Sequence, residues 1–470
     1  MDAKGASTKA SALVIFGITG DLARRMTLPA LYRLEARGQL NCAILGVGRG
    51  EVSVADLRAR ARLAVEQTGL PVDDVVFERL AERLGYVRGD LDDPVLYEAI
   101  REEIRYCGPP PLFYLETPPS QFAGIVHRLG HAGLTDGARV VIEKPFGSDL
   151  ASARQLNRDI HEVLAEEQVF RIDHFLGKEP VQDIVYLRFA NEIFEPVWNR
   201  KHVESVQIVM AEDFDASNRG AFYDAVGALR DVVQNHLLQV LALVAMEPPS
   251  GGRGAIADRR LDVFRAIPDA DPTTYVRGQY RGYLDTPGVA SGSPTETFAA
   301  LRLEIDNWRW AGVPFFISAG KALAADVTEV NIRFRRPPDI LMGEEAAHVS
   351  RHNHVTIRIG ADAGARIGVL AKEAGADRVE PIHLDVSFQK DLEDGPTPYE
   401  RLLGDAMIGD HTLFPREDVI EETWRIVQPL LDAPPPLEIY EPGSWGPEAA
   451  ETLIRGHGGW SRPGSAIADD

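Results

Sequence analysis

The sequence contains very little cysteine, with only Cys42 and Cys107 among its 470 residues. Two cysteines cannot form a disulfide framework or a cysteine-rich metal centre, which excludes the small disulfide-stabilised secreted class. Cys42 begins an apolar run, so we expect it to be a small core residue. This cysteine content suits a reducing compartment, and we therefore expect the protein to be cytoplasmic.

Long hydrophobic runs are also missing. The longest apolar stretch, residues 237–246, is interrupted by Gln239 and is well short of the roughly 18 residues that a membrane span needs. The N-terminal apolar run at residues 12–16 leads directly into a glycine turn, without the small-residue cleavage site of a signal peptide. We interpret this run as the first strand of the fold and expect no membrane partner.

Positive charge is scarce relative to negative charge. Lys and Arg number 50 against 71 Asp and Glu, which gives a formal net charge of −21. A surface this acidic binds phosphate backbones poorly, so we expect no nucleic-acid partner. It still allows an anionic small substrate, because a few local Lys and Arg side chains can override the net field.

The order of the predicted elements indicates an α/β architecture with two domains. Short apolar strands alternate with helices up to about residue 176, as in a Rossmann-like parallel sheet. Afterwards the strands alternate apolar and polar residues, which predicts a mainly antiparallel sheet with one wet face. We therefore assign residues 1–176 to an N-terminal Rossmann-like dinucleotide domain and residues 177–470 to a larger α+β domain. The alternating strands are predicted at residues 205–211, 297–305, 328–334 and 354–359.

A glycine turn follows the first predicted strand, with the sequence G-I-T-G-D-L-A at residues 17–23. Backbone N–H groups at such a strand–helix junction favour a pyrophosphate, although a lone G-x-x-G also occurs in ordinary tight turns. NAD-binding folds usually carry Asp or Glu at the end of the second strand, but here the position holds Arg49. Arginine suits a ribose 2′-phosphate, which favours NADP, whereas taken alone Arg49 could equally be a solvated loop charge.

Three further polar motifs stand in apolar surroundings. Within the last of them, Asp231 and His236 are five residues apart on a helix predicted to run continuously over residues 223–246. This spacing is about 140° on an α-helix, so the two side chains should flank one cleft without touching. Burying these polar side chains in an apolar helix without a ligand or partner would cost free energy, which favours a ligand site over a packing face. The motifs are E-K-P-F-G at 143–147, R-I-D-H-F-L-G-K-E at 171–179 and R-D-V-V-Q-N-H-L-L-Q at 230–239.

These four motifs, in this order, resemble those of the glucose-6-phosphate dehydrogenase family. Segments at residues 308–315, 320–323, 399–403 and 443–447 agree as well, so the resemblance covers about residues 12–460. It implies NADP-dependent oxidation of glucose 6-phosphate at the anomeric carbon to 6-phosphoglucono-lactone, the first step of the oxidative pentose phosphate pathway. It also implies a homodimer or homotetramer formed through the large sheet.

The resemblance further implies a role for each matching residue. His236 matches the general base that takes the proton of the anomeric hydroxyl, and Asp173 matches the carboxylate that orients this histidine. These two residues would have to meet at the junction of the two domains. The remaining matches are His174 and Lys178 for the substrate phosphate, Lys144, Glu212, Asp231 and Lys321 for the sugar, and Gly17, Thr19, Gly20, Arg49 and Lys144 for the cofactor.

Two departures from the family pattern leave the substrate open. Many members have Tyr where this chain has Phe175, and Lys or Arg where it has Asp326. A phosphate dianion should bind less well unless Arg333, Arg335 and Arg336 compensate, or unless the alignment slips in that loop. The alternatives are the same chemistry on an unphosphorylated or different hexose, or a catalytically silent partner or sensor. We predict no metal site, because the His352-x-His354 pair has no evident third ligand.

Overall fold

The computed structural model of the chain describes residues 9–69, 71–217, 219–338, 352–360, 362–375, 379–388 and 395–462. The chain forms two compact units, residues 1–178 with 395–420, and residues 179–394 with 421–470. A boundary after residue 176 is predicted from the sequence, with residues 395–420 in the second domain. In the structure this segment belongs to the first unit.

The first unit contains a six-stranded parallel sheet with helices in its crossover connections. The strand order is β3-β2-β1-β4-β5-β6, the doubly wound arrangement whose order reverses between β1 and β4. Its strands are β1 (Ala12–Phe16), β2 (Ala43–Gly48), β3 (Leu84–Arg88), β4 (Pro111–Leu115), β5 (Arg139–Glu143) and β6 (Val169–Ile172). Its helices in this part are α1 (Leu28–Ala36), α2 (Val54–Glu66), α3 (Asp74–Arg83), α4 (Pro94–Ile104), α5 (Phe122–His131) and α6 (Leu150–His161), with a π-helical turn at Ala23–Thr27 before α1.

The central strands of this sheet are apolar at successive positions because both faces are covered. All five residues of β1 are buried, in agreement with the continuous apolar run in the sequence. The helices begin where the sequence supplies caps. Ser53 and Asp56 form a capping box at the start of α2, and Asp149 and Ser152 form one at the start of α6. These caps fix the positions at which the chain leaves each strand and turns back across the sheet.

The second unit contains a nine-stranded sheet of order β14-β13-β12-β11-β7-β10-β9-β8-β15. Neighbouring strands are antiparallel except for the β7–β10 and β8–β15 pairs, which confirms the predicted mainly antiparallel sheet. The strands are β7 (Val203–Ala211), β8 (Tyr275–Tyr280), β9 (Phe298–Leu303), β10 (Phe315–Gly320), β11 (Val327–Phe334), β12 (His354–Arg358), β13 (Gly364–Lys372), β14 (Val379–Ser387) and β15 (Leu437–Tyr440). The helices from residue 179 onward are α7 (Glu179–Phe189), α8 (Gly220–Ala228), α9 (Leu238–Ala245), α10 (Ile256–Ala266), α11 (Pro398–Ile408), α12 (Glu417–Asp432) and α13 (Glu448–Leu453).

The most apolar helix of the second unit, α9, is buried along its whole length. Its last carbonyl groups would lack hydrogen-bond partners in such a core. Three buried side chains supply the donors: Arg188 to Leu243 O, Trp198 to Val244 O and Trp310 to Ala245 O, at 2.9, 2.9 and 2.7 Å. Within the described residues, no helix is both long enough and apolar enough to span a bilayer.

Candidate active site

The turn after β1 forms a cradle from backbone atoms. Gly17 has a φ of 89°, and a Cβ at this position would lie 2.4 Å from the carbonyl oxygen of Glu116. Only glycine fits there, because any side chain would be both strained and in collision. Gly20 donates its N–H to Gly17 O and closes the turn. This open backbone lies where the strand order reverses, and it fits the pyrophosphate of a dinucleotide.

Thr19 and Arg49 lie at the carboxyl ends of the neighbouring strands β1 and β2. The Thr19 hydroxyl is 3.5 Å from the position that a Cβ on Gly48 would occupy. Arg49 is exposed, while the nearby carboxylate of Glu51 forms an ion pair with Arg88 at 2.5 Å. Glu51 is the carboxylate that could pair with Arg49 or bind ribose hydroxyls, and it pairs with Arg88 instead.

The segment after β6 folds back on itself in consecutive turns. Asp173 is 3% exposed, and its Oδ1 accepts the N–H of Phe175 at 3.0 Å. His174 O then accepts the N–H of Gly177, and Phe175 O accepts the N–H of Lys178. The structure therefore brings Asp173, His174 and Lys178 into one short loop at the carboxyl end of the sheet.

Phe175 has a specific role within this loop. Its ring is 1% exposed, and the Lys178 ammonium lies 3.7 Å from the ring centroid. A cation over an aromatic face is attracted by the ring quadrupole, which holds the lysine in place. Phe175 lacks the hydroxyl of a tyrosine, but its ring contacts and orients Lys178, a predicted phosphate-binding residue.

In the second unit, Glu212 and Lys321 form a partly buried ion pair. The Lys321 ammonium is 2.6 Å from Glu212 Oε2 and lies over the rings of Phe214 and Tyr223, at 4.5 and 5.2 Å from their centroids. The two residues meet because β7 and β10 are parallel neighbours, and Glu212 N–H bonds to Gly320 O at 3.0 Å. Two predicted sugar-binding residues are thus adjacent.

The predicted single helix over residues 223–246 is wrong. Gly227 has a φ of 68° and a ψ of 176°, which interrupts the helical geometry inside α8, and residues Leu229–Leu237 form a π-helix before α9. In a π-helix residue i bonds to residue i+5, so side chains five apart lie on one side rather than about 140° apart. Asp231 and His236 therefore share a face. Such segments occur often at functional sites.

Hydrogen bonds from Glu296 and Asn235 stabilise the π-helical conformation of this segment. The carboxylate of Glu296 accepts the N–H of Leu229 at 3.1 Å, and its main-chain oxygen accepts the N–H of Ala228 at 3.0 Å. The Asn235 amide donates to Arg230 O at 3.1 Å and accepts the N–H of His236 at 2.5 Å. These contacts fix the backbone that carries His236, a residue that is 2% exposed. Of the two contributing residues, Asn235 belongs to the motif and Glu296 does not.

Two polar residues of the same motif have structural partners. Gln234 donates to the Thr423 hydroxyl at 2.9 Å, and Gln239 accepts from Arg260 at 3.0 Å. Both glutamines are almost fully buried. These two glutamines therefore need no ligand, because each bonds to another side chain in the core.

The suggested compensation for Asp326 by the three arginines is not supported. Asp326 is exposed and directly precedes β11. At about 3.3 Å per residue, Arg333 lies roughly 20 Å further along this strand. There it is paired with Glu204 at 3.1 Å, and Arg335 donates to Arg200 O at 3.2 Å.

Sequence reasoning also missed two buried carboxyl groups in the first unit. Glu143 accepts the Tyr114 hydroxyl at 2.5 Å, and Glu116 accepts the Thr27 hydroxyl. Burial raises the pKa of Glu116 to about 8 and that of Glu143 to about 7, although these hydrogen bonds oppose the shift. Glu143 lies within the E-K-P-F-G motif, but nothing in that motif distinguishes it from an exposed partner of Lys144.

Comparison with known proteins identifies the family of this arrangement. Residues 14–183 match the model of the glucose-6-phosphate dehydrogenase NAD binding domain, and residues 185–461 match that of the glucose-6-phosphate dehydrogenase C-terminal domain. The chain belongs to the glucose-6-phosphate dehydrogenase family. This confirms the resemblance found in the sequence.

Individual members of the family are similar along their whole length. The chain is 54% identical over 453 residues to glucose-6-phosphate 1-dehydrogenase 1 of Mycobacterium bovis, covering 96% of each protein. A crystal structure of glucose-6-phosphate 1-dehydrogenase from Mycobacterium avium is 52% identical, with a TM-score of 0.88 over 97% of this chain and 99% of that one. A glucose-6-phosphate dehydrogenase in complex with its substrate glucose 6-phosphate is 33% identical, with a TM-score of 0.89 and the same coverage.

Proposed function

We propose that the protein oxidises glucose 6-phosphate at the anomeric carbon to 6-phosphoglucono-lactone with NADP as hydride acceptor, the first step of the oxidative pentose phosphate pathway. The observation that carries the proposal is the match of both family domains along 14–183 and 185–461. The polar groups described above support it, because they are the residues that the family resemblance assigns.

In the proposed reaction, His236 removes the proton of the C1 hydroxyl while the hydrogen on C1 leaves with its electron pair. NADP, when bound, supplies the acceptor for that hydride. The C1–O bond becomes the lactone carbonyl, and the proton remains on the imidazole until it passes to water. Asp173 orients this imidazole and stabilises its charged form, as a carboxylate partner does for a general base working near neutral pH.

The remaining polar residues have proposed roles in binding the substrate and the cofactor. His174 and Lys178 hold the phosphate, while Lys144, Glu212, Asp231 and Lys321 hold the hydroxyl groups of the sugar. In the proposed cofactor site the turn of Gly17 and Gly20 receives the pyrophosphate, Thr19 and Arg49 contact the 2′-phosphate, and Lys144 reaches both ligands.

The direct test is NADPH formation with glucose 6-phosphate, glucose and galactose 6-phosphate in parallel. We expect glucose 6-phosphate to give by far the highest kcat/KM. Faster turnover of an unphosphorylated or different hexose would establish the alternative substrate suggested by Phe175 and Asp326. No turnover of any hexose would favour a silent partner or sensor.

The cofactor assignment predicts a selective effect of Arg49→Ala. A charge-assisted hydrogen bond is worth about 1.5–3 kcal/mol, so KM for NADP should rise roughly 10- to 100-fold. KM for NAD should remain nearly unchanged, because NAD has no 2′-phosphate. Initial rates with each cofactor measure both values, and an equal loss for both would remove Arg49 from the phosphate contact.

Asp326→Lys tests the altered phosphate pocket. Reversing one charge near a dianion is worth about 1 kcal/mol or more at an effective dielectric constant near 20, so KM for glucose 6-phosphate should fall roughly fivefold. The gain should shrink at high salt because residue 326 is exposed. Unchanged KM values for all sugars would place residue 326 outside the pocket and indicate an alignment slip.

We also propose a cytoplasmic homodimer or homotetramer formed through the large sheet. The terminal strand β14 exposes three apolar side chains on one face, Ile382, Leu384 and Val386. An exposed apolar edge of this kind is normally covered by a partner. Light scattering of the purified protein, with Leu384→Lys as the disrupting variant, would test this assembly.

A further inference from the structure

A buried hydrogen-bond network surrounds Glu143, the last residue of β5. Glu143 is 7% exposed, and its Oε1 accepts the hydroxyl of Tyr114, on β4, at 2.5 Å. The hydroxyl of Tyr399, on α11, and the main-chain N–H of Lys144 also face this carboxylate and oppose the rise of its pKa. Three donors from three segments of the first unit therefore converge on one side chain.

This arrangement is expensive for the fold. A carboxylate loses its hydration on burial, and a strand end in a parallel sheet is easily filled by an apolar residue. A second carboxyl group, that of Glu116, follows β4 and repels the charge of Glu143. Perturbed carboxyl groups that persist at such a cost cluster at functional sites.

The network contacts the supports of two predicted substrate-binding residues. The main-chain N–H of Lys144 faces the Glu143 carboxylate. The ring of Tyr399 is nearly parallel to that of His174, with 11° between the planes and 6.5 Å between the centroids. Tyr399 therefore touches Glu143 with its hydroxyl and faces His174 with its ring.

We propose that Glu143 is a positioning residue that fixes Lys144 and, through Tyr399, His174 for sugar phosphate binding. In this proposal the carboxylate interacts with all three donors at once. It thereby restricts the Lys144 backbone and the Tyr399 ring to one conformation each. This inference rests on the proposed function, because it concerns residues assigned to that substrate.

The first test is Glu143→Gln, which keeps the shape but replaces one acceptor oxygen with a donor. One of the three donors then loses its partner, so KM for glucose 6-phosphate at pH 8 should rise about tenfold. By contrast, kcat should stay within about threefold, because the proposed general base His236 is not among the groups that act on Glu143.

The pH dependence separates positioning from simple stability. The ionisable groups that face Glu143 are Tyr114, Glu116, Lys144 and Tyr399. With a pKa of about 7, the wild-type carboxyl is largely protonated at pH 6 and then resembles glutamine. The ratio of variant to wild-type KM should therefore increase from near 1 at pH 6 to about 10 at pH 8.

Tyrosine variants supply a matched control. Tyr399→Phe and Tyr114→Phe each remove one donor and should raise KM about three- to tenfold. Tyr97 is as buried as Tyr114 and lies in the same unit, but its hydroxyl bonds to Leu91 O at 2.8 Å. Tyr97→Phe should leave KM and kcat within about twofold of wild type.

The outcomes separate this inference from the function itself. If Glu143→Gln lowers the melting temperature but leaves KM and its pH dependence unchanged, Glu143 is only structural and the inference is overturned. The same holds if Tyr97→Phe raises KM as much as Tyr399→Phe does. If wild-type protein reduces no NADP with glucose 6-phosphate, the proposed function fails, and calorimetric binding of glucose 6-phosphate to wild type and Glu143→Gln tests the positioning role separately.

Discussion

Replacing His236 with asparagine should lower kcat by about 10²–10⁴-fold, the usual loss when a general base is removed. Asparagine preserves some hydrogen-bonding capacity but cannot take up the proton of the anomeric hydroxyl. Because binding depends on other side chains, KM for glucose 6-phosphate should change by less than about threefold. Steady-state NADPH formation measures both constants.

The pH profile and a second histidine make this test specific. Wild-type kcat should fall on the acidic side as the base becomes protonated, and His236→Asn should lose that limb. His202→Asn is the matched control, since His202 lies in the same unit but is exposed, and it should behave as wild type. Near-normal turnover by His236→Asn would remove His236 from the role of base.

The parallel sheet was predictable because its information is local. Each buried strand appears as a short apolar run, and β1 matches the predicted residues 12–16. The glycine turn after it was equally visible, because the collision of a Gly17 side chain with Glu116 O leaves only one residue type at that position. The antiparallel strands of the second unit followed from their two-residue alternation.

The winding of the helix that carries His236 was not predictable from apolar spacing. A single Gly227 within a helical pattern is often tolerated, so the pattern gave no reason to expect an interruption of α8 there. The change to i+5 bonding depends on Glu296, which is distant in sequence and accepts the N–H groups of residues 228 and 229. Apolar spacing therefore predicted a wrong angle between Asp231 and His236, and their roles at the site stay a prediction.

The carboxyl network was hidden for a similar reason. Its members Tyr114, Glu143 and Tyr399 come from three separate segments, and each is unremarkable in its own motif. Segment 395–420 joins the first unit only through tertiary packing. A single domain boundary in the sequence cannot describe a unit made of two separate segments. Side-chain pairings across such distances require coordinates.

Glu116→Gln should stabilise the protein above neutral pH. One carboxyl oxygen of Glu116 accepts the Thr27 hydroxyl, and the other has no access to solvent and no hydrogen-bond partner among the described residues. Burial raises the pKa of Glu116 to about 8, well above its ordinary value of 4.5. The folded state therefore binds a proton more tightly than the unfolded state between these two values.

The sign of the effect follows from this difference in proton binding. The stabilising contribution of the protonated carboxyl is fully present below about pH 4.5 and is lost as the pH rises through about 8. Glutamine stays neutral at every pH, so the variant avoids the loss. Relative to wild type, its free energy of unfolding should be nearly equal at pH 5 and higher by on the order of 2–4 kcal/mol at pH 9.

Thermal melting of wild type and Glu116→Gln in buffers from pH 5 to pH 9 measures this difference as a widening gap in apparent melting temperature. Glu98→Gln is the control, because Glu98 lies in the same unit on the exposed face of α4, and it should follow wild type at every pH. A constant gap between Glu116→Gln and wild type would mean that residue 116 does not change its protonation in this range. A gap that narrows with rising pH would mean that the carboxylate is stabilised in the folded state, against the desolvation argument, and that a donor satisfies its second oxygen.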